Sequence, residues 1–209
     1  MRAPEIPPAV CIVGRKNSGK TTLAVALAAE LKRRGRRVAT IKHGHHAFET
    51  DQPGRDSWRH FNEGEAEAMI MAGTGKIALV MRIDGEPDPH RLVRELYAGR
   101  GYDVVLIEGW KHGALPKIEV FRHALHDRPL YDSDDAEAAA RFLAIVTDDP
   151  SLDVHCPVIP LEANGAHVGR VADLLEAWLA VAENGADSLA ASDAGDRASS
   201  TPAEVRDAD

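Results

Sequence analysis

Apolar residues along this chain fall into short runs separated by polar, glycine-bearing stretches, and strand-like and helix-like spacings alternate. Val10-Cys11-Ile12-Val13 is a continuous apolar run of strand length. Beyond a glycine-bounded gap, Leu23, Leu27 and Leu31, with Ala24 and Ala28 beside them, recur on one helical face. Val38-Ala39-Thr40-Ile41 predicts a second strand. The runs 68–71 and 77–81 flank Ala72-Gly73-Thr74-Gly75 and predict a β-hairpin. Leu92, Val93, Leu96 and Tyr97 share one face of a helix over 89–98. Val104-Val105-Leu106-Ile107 reads as a central strand covered on both faces. Strands at 118–121, 142–146 and 158–159 follow, and Val171, Leu174, Leu175, Trp178 and Leu179 mark a closing amphipathic helix. This alternation implies right-handed crossovers and a mostly parallel sheet. Such sheets place ligands at the carboxyl ends of their strands.

The gap between the first strand and the first helix carries the chemistry. Gly14-Arg15-Lys16-Asn17-Ser18-Gly19-Lys20-Thr21-Thr22 satisfies G-x-x-x-x-G-K-S/T in full, in the strand–loop–helix context that makes this motif a phosphate-binding loop. Glycines let the backbone wrap phosphates, and the free N–H groups of the first helical turn point at the anion. Lys20 is expected to reach the β- and γ-phosphates and the Thr21 hydroxyl to take a place on Mg²⁺. The fold class is therefore α/β: a three-layer P-loop NTPase with a mostly parallel central sheet and a β-hairpin extension.

Charge and composition narrow the partners. A formal charge of −8 over 209 residues gives no global basic field, so no nucleic-acid partner is expected. Six acidic and two basic residues lie between Asn184 and Asp209, where large apolar side chains are nearly absent; residues 184–209 are expected to form a disordered acidic tail. Residues 1–8 read as an N-terminal extension without a signal-peptide core, and residues 9–183 as the nucleotide-binding domain. No apolar run is long enough for a membrane span. Cys11 and Cys156 show no sign of pairing, which fits a reducing, cytoplasmic location. Arg33-Arg34-Gly35-Arg36-Arg37 supplies a helix stop and cations suited to the negative end of the helix dipole.

Three further patches bear on function. Glu108, ending the strand from Asp103 and followed by Gly109, is placed to serve Mg²⁺ or the attacking water beside the loop. Asp103 lies roughly 16 Å away along an extended strand and reads as a strand-start residue. The polar stretch from Lys42 to Glu65 leaves the carboxyl end of strand two. There Asp51 could give a carboxylate to Mg²⁺, and Lys42 and Arg55 could contact phosphate. His43, His45 and His46 also raise a transition-metal site, although H-x-H-H is not a regular ligand spacing. Lys111, His112, Lys117 and Arg122 form either a basic lip around the nucleotide or solvated charges. Thr147-Asp148-Asp149 follows a strand. A carboxylate there, Asp148 or Asp149, could accept the N1–H and N2 amine that guanine offers and adenine lacks, or could serve as turn chemistry.

Taken together, Gly14 to Thr22, Ile41-Lys42-His43 with His46, Asp51-Gln52-Pro53-Gly54-Arg55-Asp56-Ser57, Leu106-Ile107-Glu108-Gly109-Trp110-Lys111 and Pro116-Lys117-Ile118-Glu119-Val120 resemble the molybdopterin-guanine dinucleotide biosynthesis adapter (MobB) family over about residues 9–180. The resemblance implies a dimeric, cytoplasmic GTP-binding protein with slow GTPase activity, assisting a guanylyltransferase that attaches GMP to molybdopterin. It implies Lys20 and Glu108 in catalysis. The loop from Gly14 to Thr22, with Lys42, His43, His46, Arg55 and Asp148, would bind nucleotide or molybdopterin, and Thr21, Asp51 and Glu108 would serve Mg²⁺. Some relatives in the wider class carry a signature lysine at the second loop position, which here is Arg15. Two other readings compete: a nickel or zinc metallochaperone GTPase using His43, His45, His46 and Cys156, and a small-molecule kinase.

Overall fold

The computed structural model describes residues 5–44 and 51–198. Six strands form one parallel sheet: β1 (Ala9–Val13), β2 (Val38–Lys42), β5 (Val104–Glu108), β6 (Lys117–Phe121), β7 (Phe142–Thr147) and β8 (Val158–Pro160), in the order β2-β5-β1-β6-β7-β8. Strands β3 (Ala68–Gly73) and β4 (Lys76–Met81) pair antiparallel as a separate two-stranded sheet. The helices are α1 (Lys20–Arg33), α2 (Asp56–Asn62), α3 (Pro89–Tyr97), the single turn α4 (Ala136–Ala139) and α5 (His167–Ala198).

Strand alternation divides the core into two layers. Val10, Ile12, Val104 and Leu106 face α1 and α5, meeting Leu23, Leu27, Leu31, Val171, Leu175 and Leu179. Cys11, Val13, Val105 and Ile107 point the other way, toward Val93 of α3 and Tyr131. Each fully buried leucine contributes roughly 1.5–3 kcal/mol relative to exposure, so these stripes fix both helices on the sheet.

The arginine-rich end of α1 does more than meet solvent. Arg36 N–H donates to Leu31 and Gly35 N–H to Lys32, with Gly35 at φ 89°, the left-handed stop that ends many helices. Arg34 then bridges Glu30, Asp173 and Glu176 at 2.6–2.7 Å, tying α1 to α5. At the far end of the sheet Asp103 accepts the Arg37 N–H at 2.5 Å, a strand-start role away from the loop. Helix α3 opens at Pro89, capped by the Asp88 side chain on Arg91 N–H. Helix α5 runs to Ala198, past position 184; this stretch is alanine-rich, and alanine has the highest helix propensity. Residues 199–209 lie outside the described residues.

Candidate functional site

The order reverses on either side of β1, which sits between β5 and β6, and the loop leaving β1 lies in the crevice at their carboxyl ends. Gly14 has φ 146°, and a Cβ there would collide with the Val120 carbonyl oxygen and stand 2.6 Å from Ser18 Oγ. Glycine is thus required where the loop passes β6. Gly19 caps α1 in the left-handed region at φ 102°, leaving the first-turn N–H groups open to an anion. Lys20 Nζ donates to the Arg15 carbonyl at 2.7 Å, across the loop. Burial lowers the Lys20 pKa, with Glu108 opposing that shift and Lys42 adding to it.

Register brings the carboxylate to the loop. Glu108 pairs with Ile12 on one side and Lys42 on the other. Its Oε1 accepts from Thr21 Oγ1 at 2.6 Å and from Lys42 Nζ at 2.8 Å. Burial alone would raise the Glu108 pKa, but the bonds from Lys42 and Thr21, with the Lys42 and Lys20 charges, hold it below the usual range. A hydroxyl and an ionised carboxylate on one spot form the hard oxygen set that suits Mg²⁺.

Two cavities open on opposite flanks of the loop. One, of about 350 Å³, is lined by Gly14, Arg15, Lys20, His43, Glu108 and Trp110 among others. The other, of about 560 Å³, touches Ser18, Gly19 and Thr22 and reaches Asp148, Glu162 and His167. His43 joins the first: its ring stacks on Trp110 at 4.1 Å and 15°, and its Nε2 lies 3.3 Å from Glu86 Oε1. Trp110 takes φ 51° directly after Gly109.

A family model described as "MobB: Molybdopterin guanine dinucleotide synthesis protein B" matches residues 9–148. The chain belongs to the MobB family. It is 32% identical over 174 residues to the molybdopterin-guanine dinucleotide biosynthesis adapter protein of Haemophilus influenzae, covering 82% of this chain and 89% of that one. The corresponding Escherichia coli adapter protein is 31% identical, with 82% and 93% covered. Among solved structures, Bacillus subtilis MobB superposes with a TM-score of 0.59 at 26% identity, covering 80% of this chain and 97% of that chain.

The MobB motif segments land at different distances from the loop. Lys42, His43 and Glu108 reach it. Asp51 and Arg55 do not line either of its cavities. They line a separate cleft of about 670 Å³ between α2 and β3 with Asp56, Ser57 and His60. The Asp51 carboxylate is turned to its own segment, accepting from the Ser57 hydroxyl and from Gln52 N–H. A turn follows at Pro53-Gly54, with Gly54 at φ 83°. His45 and His46 lie outside the described residues. Among the described residues no group of three or more His, Cys, Asp or Glu side chains could hold a metal ion. Cys156 is half-buried near Leu152 and Tyr131, and burial pushes its thiol up to about 11.

Asp148 has both oxygens engaged: Oδ2 accepts from Arg122 Nε at 2.9 Å and Oδ1 from His123 N–H at 2.6 Å. Lys117 belongs to neither a lip nor the solvent. It is buried, and its Nζ donates to the Gly113 and Leu115 carbonyls. Lys111 lines the smaller loop cavity and His112 is exposed.

Sequence reasoning passed over the support behind the loop. Glu119 is fully buried and accepts from Leu130 N–H and Tyr131 N–H at 2.6 and 2.9 Å. That clamp closes the 122–131 segment over the loop, where the Arg128 carbonyl accepts from Arg15 Nε and His126 Nε2 meets the Lys16 carbonyl. The available signal was an acid inside the apolar strand Ile118-Glu119-Val120, since a buried charge requires partners.

Proposed function

We propose that this chain binds GTP with Mg²⁺ on the Gly14–Thr22 loop, hydrolyses it slowly, and serves as an adapter in molybdopterin guanine dinucleotide biosynthesis. In this reading Lys20 compensates the β- and γ-phosphate charge, and Thr21 and Glu108 hold the cation, which neutralises developing phosphate charge when bound. The observation that carries the reading is the Thr21–Glu108–Lys42 cluster at the loop of a MobB-family chain. The adapter role is the one printed for its Haemophilus influenzae and Escherichia coli relatives.

The partner in this reading is a molybdenum cofactor guanylyltransferase, with molybdopterin as the shared substrate, and the chain works as a cytoplasmic homodimer. The hairpin supports self-association. Its register puts Ile70, Ile77, Leu79 and Met81 on one face, all exposed. No helix among the described residues is long and apolar enough to cross a membrane.

Calorimetric titration with GTP and Mg²⁺ tests the loop. Lys20→Ala is expected to abolish measurable binding; near wild-type affinity would remove the assignment. Co-purification of the native chain with a guanylyltransferase and molybdopterin tests the adapter role, and capture of neither would refute it.

A further inference from the structure

The nucleotide reading leaves the larger loop cavity and the Glu162 carboxylate without a role. We infer that this cavity is a purine pocket and that Glu162, rather than Asp148, is the group that selects guanine. The inference rests on the proposal that a nucleoside triphosphate occupies the loop.

The direction of the nucleotide follows from charge. Lys20, Glu108, Lys42 and Thr21 cluster on the flank with the smaller cavity. That flank takes the terminal phosphates and cation, so the nucleoside must leave on the other. There the cavity starts at Ser18, Gly19 and Thr22 and runs to the loops after β6, β7 and β8. Its volume, about 560 Å³, is in the range of small-molecule sites. Leu23, Leu161 and Val168 give it apolar walls for a flat ring. Ser18 Oγ, buried at its mouth, has no hydrogen-bond partner among the described residues, as expected of a hydroxyl that meets ligand.

Within this cavity two carboxylates compete for the base. Guanine presents N1–H and an N2 amine, and a carboxylate can receive them only through an oxygen not already committed elsewhere. The Asp148 oxygens are spent on Arg122 and His123, where they brace the turn after β6. Glu162 differs. Its Oε1 accepts from no group among the described residues. Its Oε2 is enclosed and lies 2.6 Å from Arg170 Nη2, an ion pair not aligned as a hydrogen bond, so Oε1 is the oxygen left for the base. Arg170 in the first turn of α5 thus orients the carboxylate. The backbone around it is pinned: Glu162 N–H donates to His167 Nδ1 at 3.3 Å and the Glu162 carbonyl accepts Gly165 N–H at 3.0 Å. Adenine would set its N1 lone pair against the same carboxylate.

The test is a nucleotide swap on the full chain, with binding of GTP, ITP, XTP and ATP measured calorimetrically in Mg²⁺. Wild type is expected to bind GTP at least tenfold more tightly than ITP, which lacks the N2 amine, and than ATP. Glu162→Gln should lose GTP affinity tenfold or more and gain XTP, because its amide donates to the xanthine C2 carbonyl while its oxygen accepts N1–H. Asp148→Asn should leave the base preference unchanged. Equal wild-type affinity for GTP, ITP and ATP would overturn the inference while leaving the loop reading intact. A preference swap in Asp148→Asn, or an unaltered GTP-to-XTP ratio in Glu162→Gln, would overturn it as well. Wild type that binds none of the four would overturn the triphosphate reading itself, and this inference with it.

Discussion

In the proposed function one carboxylate, Glu108, has two jobs, and replacing it by Gln separates them. The side chain accepts from Thr21 at 2.6 Å and Lys42 at 2.8 Å. The amide keeps the shape and can still bond both partners, but the charge is gone. Lys42 is mostly exposed, so its pair contributes little, and the fold should lose only about 1 kcal/mol, mostly at the Thr21 bond. Catalysis should suffer far more. Removing one preorganised electrostatic partner in a reaction site costs about 10²–10³ in turnover. The expected pattern is GTP affinity within a few-fold of wild type and Mg²⁺-dependent phosphate release reduced about 100-fold or more. The sign with pH follows from the depressed carboxyl pKa. Its stabilisation is present above the ordinary value of 4.5 and is lost as pH falls through the lower folded value. The stability gap between wild type and variant should therefore close below pH 4.5. Single-turnover phosphate release and urea unfolding from pH 3 to 7 measure both halves. Turnover within twofold of wild type would refute the role of Glu108, whatever the stability result.

Gly14→Ala forces a methyl group against the Val120 carbonyl at φ 146°, and should lower stability by about 1–3 kcal/mol or more while also weakening GTP; a thermal midpoint equal to wild type would contradict the close approach. Glu119 has its pKa raised chiefly by burial, against the Leu130 and Tyr131 N–H bonds. A raised acid stabilises most below its unfolded value, near 4.5, and loses that contribution as pH rises through the folded value. Urea midpoints should therefore fall from pH 4.5 upward in wild type relative to Glu119→Gln, and parallel profiles would count against a buried carboxyl there. Ile77→Lys with Leu79→Lys should shift light-scattering mass toward the monomer while leaving GTP binding intact; an unchanged mass would move the self-association surface elsewhere.

The sheet was readable because its strands are covered on both faces. Runs such as Val104-Val105-Leu106-Ile107 have no polar position to confuse the period, and the structure places them centrally. Glu108 was readable too, since a carboxylate ending such a strand lands beside the loop whenever that strand neighbours β1. Lys117 and Asp148 were not. In one dimension Lys117 reads as a lip or solvated charge and Asp148 as a base reader or turn residue, and only the folded chain reveals the carbonyls and N–H groups that enclose them. Asp51 looks close to strand two in one dimension, and the folded chain puts it on the cleft between α2 and β3. Glu162 was invisible, since it stands in a loop with no motif and gains meaning from Arg170 and a cavity wall.

The hairpin is a sheet of its own, with most of its residues exposed and one imidazole, His43, meeting the loop that leaves it at Glu86. Its amides are guarded by local pairing rather than by the central core, so they open at a free energy well below that of global unfolding. The chain thus carries two stabilities. The sheet holds the loop between β1 and α1 stiff, while the arm can adapt its shape without loosening that loop.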